Sequence, residues 1–238
     1  MALMKAAIFV EKNRIVLDDK PIPEIGPLDV LVRISTTTIC GTDVHILRGE
    51  YPVAKGLTVG HEPVGVIERL GSEVRGFHEG QRVIAGAITP SGHSNACLCG
   101  CGAQDGADTV HGFKAIGGWK LGNVIDGCQA EYVRVPDAMA NLSPIPDGLS
   151  DEHVLMCPDI MSTGFSGAER GAVTIGDTVA VFALGRLACA QSPVPKCWAP
   201  PPSSAWTACR PACVWHAKWV RRTWSTSSKA MWWNASWR

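Results

Sequence analysis

The sequence predicts a mostly β protein in three parts. These are a β-barrel-like domain over residues 1–150, the helix and first strand of an α/β unit over 151–185, and an aberrant tail over 186–238. Three observations predict this. Short segments of alternating or apolar character recur between Gly and Pro punctuation as far as Gly148, the pattern of small antiparallel barrels. A continuous apolar run, Thr178 to Phe182, then has the character of a strand buried on both faces. From Cys189 onward neither a 3.6-residue nor a two-residue apolar period can be found.

At 238 residues and 25.4 kDa there is room for one large domain or two small ones. Lys5 to Val10 (KAAIFV) and Arg14 to Leu17 predict two strands around a turn at Lys12-Asn13. Pro21, Pro23 and Pro27 with Gly26 predict a stiff connection. Asp29 to Ser35 (DVLVRIS) alternates with period two and predicts a half-buried strand leading towards Cys40. Glu62 to Arg69 (EPVGVIER), Arg82 to Ala85 and Cys128 to Val135 predict further strands, and Pro144 to Gly148 closes the barrel. Ser150 is placed to cap a helix with Asp151 and Glu152 in its first turn, where acids favour the helix dipole.

The segment from Ile39 to Glu62, expected as a loop, carries the chemistry. Within it lie Cys40, Thr42, Asp43, His45, His61 and Glu62. Thiolate, imidazole and carboxylate are ligand types that zinc prefers, and a hydroxyl and a histidine close behind a thiolate can carry a proton away from a metal.

Gly60-His61-Glu62-x-x-Gly65-x5-Gly71-x-x-Val74 resembles the zinc signature of the zinc-dependent medium-chain alcohol dehydrogenases. CGTDVH, from Cys40 to His45, resembles that family's first-ligand and proton-relay motif, and the resemblance runs from about Met4 to about Gly185. It implies a GroES-like barrel as the catalytic domain. It also implies a catalytic Zn2+, one per chain, held by Cys40, His61 and a third ligand. Aligned on Ser162-Thr163-Gly164 that ligand falls on Asp159, with Cys157 as the competing candidate. Glu62 is implied as an exchangeable or supporting ligand, Asp43 as the group orienting His61, and Thr42 and His45 as the proton path. Trp119 resembles a substrate-pocket wall.

Between Thr89 and Gly118 lie Cys97, Cys99 and Cys101, where many relatives bind a structural zinc through four cysteines. Here the spacing is C-x-C-x-C with no nearby fourth. Either His93 or His111 completes a site, or the loop is flexible and metal-free.

The resemblance implies reversible oxidation of a small alcohol, or reduction of a carbonyl, with NAD or NADP. After the apolar run at 178–182 the cofactor turn should read G-x-G-x-x-G. The chain reads Ala183-Leu184-Gly185-Arg186-Leu187-Ala188, in which Gly185 alone survives as a cofactor-binding remnant. The tail then holds eight of the nine tryptophans and eight Lys or Arg residues, with no acid after Asp177. It reads as a frameshift product. Read one base early, the junctions Trp198-Ala199, Trp206-Thr207 and Trp233-Asn234 are forced to Gly, Asp and Glu. Permissible codon choices elsewhere restore a glycine turn, a helix, a strand and an acid about 20 residues on, the parts of a dinucleotide-binding unit.

The expected function is therefore a zinc-dependent alcohol dehydrogenase, an oxidoreductase inactive as this chain because its cofactor site is disrupted. The alternatives are a non-enzymatic zinc-binding barrel fragment and a zinc-free quinone-reductase-like relative. Met1 to Val10 is too short an apolar run for a secretory leader, and ten cysteines without one point to reduced thiols and a cytoplasmic location. No nucleic-acid or membrane partner is expected, since the basic tail has no helical or strand period and no stretch approaches the ~18 apolar residues of a membrane span. Homo-oligomers are expected of intact family members, and the altered tail removes the ground for extending that to this chain.

Overall fold

The computed structural model describes residues 2–174, together with 177 and 179. The chain divides into two compact units, Met1–Ser162 and Thr163–Arg238. The run at 178–182, apart from its second residue, the glycine turn around Gly185 and the tail 186–238 lie outside the described residues.

Strands β1 (Leu3–Glu11) and β2 (Arg14–Pro21) form an antiparallel hairpin. Asn13 sits at φ 65° in its tight turn, a conformation that Asn tolerates better than most residues. β2 runs further than the expected Arg14 to Leu17, because its side chains are mostly exposed and leave no two-residue pattern.

β3 (Val30–Thr36) and β4 (Val64–Leu70) are central in a five-stranded antiparallel sheet with β5 (Arg82–Ala85). Along the chain, α1 (Gly41–Leu47) separates β3 from β4. After β5 come α2 (Asn95–Leu98) and the two-residue strands β6 (Asp105–Gly106) and β7 (Gly112–Phe113). β8 (Tyr132–Val135) and, after α3 (Ala138–Asn141), β9 (Leu142–Pro144) complete the sheet, whose order is β8-β3-β4-β5-β9. Its buried face gathers Val30, Val32, Ile67, Val83, Val133 and Val135, β-branched residues that suit a pleated surface. β1 is tied to the same body by Phe9 N–H donating to Leu57 O (2.9 Å) and Ala7 N–H to Gln129 O (2.8 Å).

Gly65 explains one glycine of the motif. A Cβ there would lie 2.2 Å from Arg33 O and 2.7 Å from Val32 Cγ1, where β3 and β4 cross closely and their register shifts.

The helix expected after Ser150 is broken. α4 spans only Asp151–Val154, capped by Ser150 Oγ, which accepts from His153 N–H at 3.4 Å. A π-turn, Cys157–Met161, intervenes before α5 (Ser162–Arg170). Pro158 has no N–H to continue a helix and its carbonyl accepts from Ala87 N–H (3.0 Å), while Met161 N–H donates to Met156 O (2.9 Å). α4 is fastened to the barrel through Asp151, which accepts from Arg82 Nε (3.0 Å) and from Ser35 Oγ. Arg82 Nη2 also donates to Leu149 O (2.8 Å). In the second unit, Thr174 N–H and Oγ1 donate to Asp177 Oδ2 at 2.7 and 3.0 Å.

Bonds from Ser35 and Arg82, against some burial, hold the Asp151 carboxyl below its usual range. A depressed carboxyl stabilises the fold above its unfolded value, and that contribution is lost as pH falls through the folded value. Asp151→Asn is therefore expected to cost about 1 kcal/mol at pH 7, the upper end for a solvent-screened pair. In urea melts, its difference from the parent should narrow below about pH 4. A difference unchanged between pH 7 and pH 3 contradicts this role.

Candidate metal centre

Three separate elements build the centre. Cys40 stands at the N-cap of α1, which occupies part of the segment expected to be a loop. The helix was hidden from a sequence reading by its seven-residue length, its leading glycine and β-branched Thr42, Val44 and Ile46. Asp43 Oδ2 accepts from Cys40 N–H at 2.9 Å and so pins the cap. His61 and Glu62 follow Gly60, whose φ of +98° favours glycine. A Cβ at Gly60 would also lie 2.6 Å from Gln129 Cγ and 2.8 Å from Gln129 N. Asp159 comes from the π-turn.

Cys40, His61, Glu62 and Asp159 each present a ligand atom within 4.8 Å of all the others. His61 Nε2 lies 3.5 Å from Asp159 Oδ2 and 3.9 Å from Glu62 Oε1. Two ligands about 2.0–2.1 Å from one zinc at a tetrahedral angle stand about 3.4 Å apart, so the spacing accommodates such an ion. His61 and Glu62 are fully sequestered, at 4% and 0% exposure. Both Glu62 carboxylate oxygens, His61 Nδ1 and Asp43 Oδ1 are buried without a hydrogen-bond partner. Orphaned groups of this kind cost about 1–3 kcal/mol each unless something else satisfies them.

The electrostatics of the group suit a cation. Burial pulls the His61 pKa down, but Asp159, Cys40 and Asp43 outweigh it and raise it to about 10. Burial first, then Asp159 and Asp43, push Glu62 up to about 7 against the pull of His61. A divalent ion held by these groups would compete with protons for them and release protons on binding.

Asp43 Oδ1 stands 4.0 Å from His61 Nδ1, and its other oxygen also accepts from Gln129 Nε2 at 3.0 Å. Gln129 escaped the sequence reading because 86 positions separate it from Asp43. Thr42 Oγ1 lies 3.7 Å from Cys40 Sγ. His45, half exposed, meets the Glu50 carboxylate through Nδ1. Trp119 packs with Phe9, Ile46 and Val59, and its ring meets those of Tyr51 and His61 edge-on at 5.6 and 6.3 Å. Glu50 and Tyr51 were also missed, although they are the two residues after Gly49 at the turn closing α1.

Cys157 faces away from this group. It packs against the apolar cluster of Val64, Ile145 and Val154, and burial pushes its thiol up. Cys128, also buried, contacts Thr37 Oγ1 at 3.2 Å, and burial raises its thiol to about 12.

The segment 89–118 is anchored by a carboxylate. Asp105 accepts from Ser91 N–H (2.9 Å), Ser91 Oγ (3.0 Å) and Cys97 Sγ (3.6 Å), and pairs with Lys120 (3.3 Å). Cys99 is exposed, and Cys101 Sγ donates to Cys99 O at 3.7 Å. Among the described residues, only Cys40, His61, Glu62 and Asp159 converge as a group of three or more potential ligands.

Residues 26–147 match the model of the alcohol dehydrogenase GroES-like domain. The chain belongs to the zinc-type medium-chain alcohol dehydrogenase family. Over 206 residues it is 66% identical to an alcohol dehydrogenase of Cupriavidus necator, covering 83% of this chain and 56% of that one. It is 34% identical over 183 residues to an NADP-dependent isopropanol dehydrogenase of Thermoanaerobacter brockii, covering 76% and 50%. The alcohol dehydrogenase TADH of Thermus sp. ATN1 superposes with a TM-score of 0.78 at 29% identity, covering 91% and 61%. The chain thus spans about half the length of the curated relatives it matches. The family's GroES-like fold accounts for the mostly β architecture of the first unit. Among the described residues no helix is long and apolar enough to cross a membrane.

If Gln129 and Asp43 hold the His61 ring for a metal, Gln129→Ala and Asp43→Ala should each weaken zinc binding about 10–100-fold. Competition with a chromophoric chelator measures this, and affinities within twofold of the parent exclude such a role.

Proposed function

We propose that this chain carries the zinc and proton-relay part of an alcohol dehydrogenase. The reaction is reversible oxidation of a small alcohol to an aldehyde or ketone, with hydride passing to NAD or NADP. One observation carries the reading: the meeting of Cys40, His61, Glu62 and Asp159 with buried polar atoms lacking partners. A thiolate, an imidazole and a carboxylate are a donor set zinc accepts. Cys40, His61 and Asp159 would hold the ion, with Glu62 as an exchangeable ligand. When bound, zinc supplies Lewis-acid polarisation of the substrate oxygen and eases loss of its proton.

The remaining steps belong to the chain's own side chains. Thr42, beside Cys40 Sγ, accepts the substrate's hydroxyl proton as it hands its own towards His45, one helical turn further along α1. Asp43 keeps the His61 ring in place. Trp119 and Tyr51 offer an apolar wall that excludes water and limits the size of the alcohol. A small secondary alcohol and NADP are favoured by the isopropanol dehydrogenase relative.

A second reading is favoured by the residues after the run at 178–182, which keep Gly185 and no other glycine of the cofactor motif. On it, this chain is a zinc-binding barrel without a hydride acceptor, its tail the product of a changed frame. Both readings expect one zinc per chain by elemental analysis. Both also expect a cobalt-substituted form whose thiolate absorption disappears in Cys40→Ser. Chain verified by peptide mass through Trp237 is expected to oxidise isopropanol with neither NAD nor NADP. Turnover would select the complete dehydrogenase. Absence of zinc would sink both readings and leave the zinc-free reductase, while two zincs would place a structural ion near Cys97, Cys99 and Cys101.

A further inference from the structure

We propose that Glu50 is the outlet of the proton path, a positioning residue that sets the ring tautomer of His45 and receives the proton His45 discharges. This rests on the relay role given to His45 above. Glu50 lies five residues beyond His45, outside α1, yet the chain returns it to the ring. Gly49, at φ +71°, turns the backbone, and Glu50 N–H then donates to His45 O at 2.9 Å. Asn13 N–H, from the β1–β2 turn, donates to Leu47 O at 2.6 Å and fixes the end of the helix. The Glu50 carboxylate meets His45 Nδ1, and the Tyr51 ring stands edge-on to the imidazole at 5.5 Å. The imidazole is thus held on two sides by consecutive residues.

The contact has a chemical consequence. An ionised carboxylate can only accept, so Nδ1 must carry the hydrogen when His45 is neutral. Nε2 is then the basic nitrogen left for Thr42. A histidine with the opposite tautomer would present an N–H to the relay and could take no proton from it. The charged groups facing Glu50 are His45, Arg48 and Lys12, and the bond from His45, then these charges, keep the carboxyl below its usual range against slight burial. It remains an ionised acceptor at neutral pH. Both side chains are about half exposed, so the path ends in water.

The proton balance closes. Nε2 takes the proton that Thr42 gives up, and Thr42 regains one from the substrate hydroxyl. The doubly protonated ring releases its Nδ1 proton to Glu50, which passes it to solvent. Exchange with water restores the Nδ1–H form, with one proton in and one out. An ordinary surface ion pair would add little stability and would have no preferred ring nitrogen to protect.

Long-range 1H–15N spectra of chain labelled at histidine read the tautomer directly, with His45 assigned by its loss in His45→Gln. The parent is expected in the Nδ1–H form when neutral. Glu50→Gln should keep that form, because the amide oxygen still accepts, and Glu50→Ala should lose it to the Nε2–H form. An Nε2–H ring in the parent, or one tautomer common to the parent and Glu50→Ala, overturns the proposal. The spectra need neither zinc nor a nicotinamide. Failure here is therefore distinct from failure to bind zinc, which would remove the relay itself.

Discussion

A buried histidine and a buried carboxyl gathered with a second carboxyl and a cysteine cannot be left to themselves. Burying ionisable groups costs several kcal/mol each unless they are paired, and here two carboxyls and a thiol gather on a single histidine. The rest of the first unit can be understood as the apparatus that holds this unfavourable cluster together. The antiparallel sheet supplies rigidity, and the elements carrying ligands are each fastened to it. Asp43 pins the cap that bears Cys40, Gly60 lets the strand-leading segment press against Gln129, and Ala87 secures the π-turn that bears Asp159.

Two of these fasteners rely on the backbone more than on side chains. Gly60 and Gly65 stand where a methyl group would meet neighbouring atoms at 2.6 Å or less. In a motif they look like spacers. In space they are points where chain segments approach too closely for any other residue, which makes their positions as restrictive as those of the ligands. Pro158 acts in the opposite sense: by withholding an N–H it breaks a helix where a carboxylate has to turn inward.

The segment around Asp105 shows how a lobe rich in cysteine can be organised through a carboxylate. Ser91, Cys97 and Lys120 all converge on that one side chain. Burial works against its charge, but hydrogen bonds from Ser94 and Ser91 and the Lys120 contact more than offset this and hold the carboxyl well below the usual range. The segment contains a capped helical turn and a short β-ladder.

Sequence alone located β1 to β5 and β8, whose periods are local, and marked Cys40, His61 and Glu62 as candidate ligands, since their chemistry and spacing travel together along the chain. It reached Asp159 only through family resemblance, with Cys157 left as a rival. Tertiary structure separated their positions: Asp159 lies with the candidate ligand group and Cys157 packs against an apolar cluster, a distinction invisible for two residues of one π-turn with only Pro158 between them. It also disclosed Gln129 beside Asp43, Glu50 beside His45, and the helix that starts at Gly41. Periodicity records which face of an element is apolar. It carries no record of which distant side chain closes a hydrogen bond, because that depends on how the sheet folds the chain back on itself.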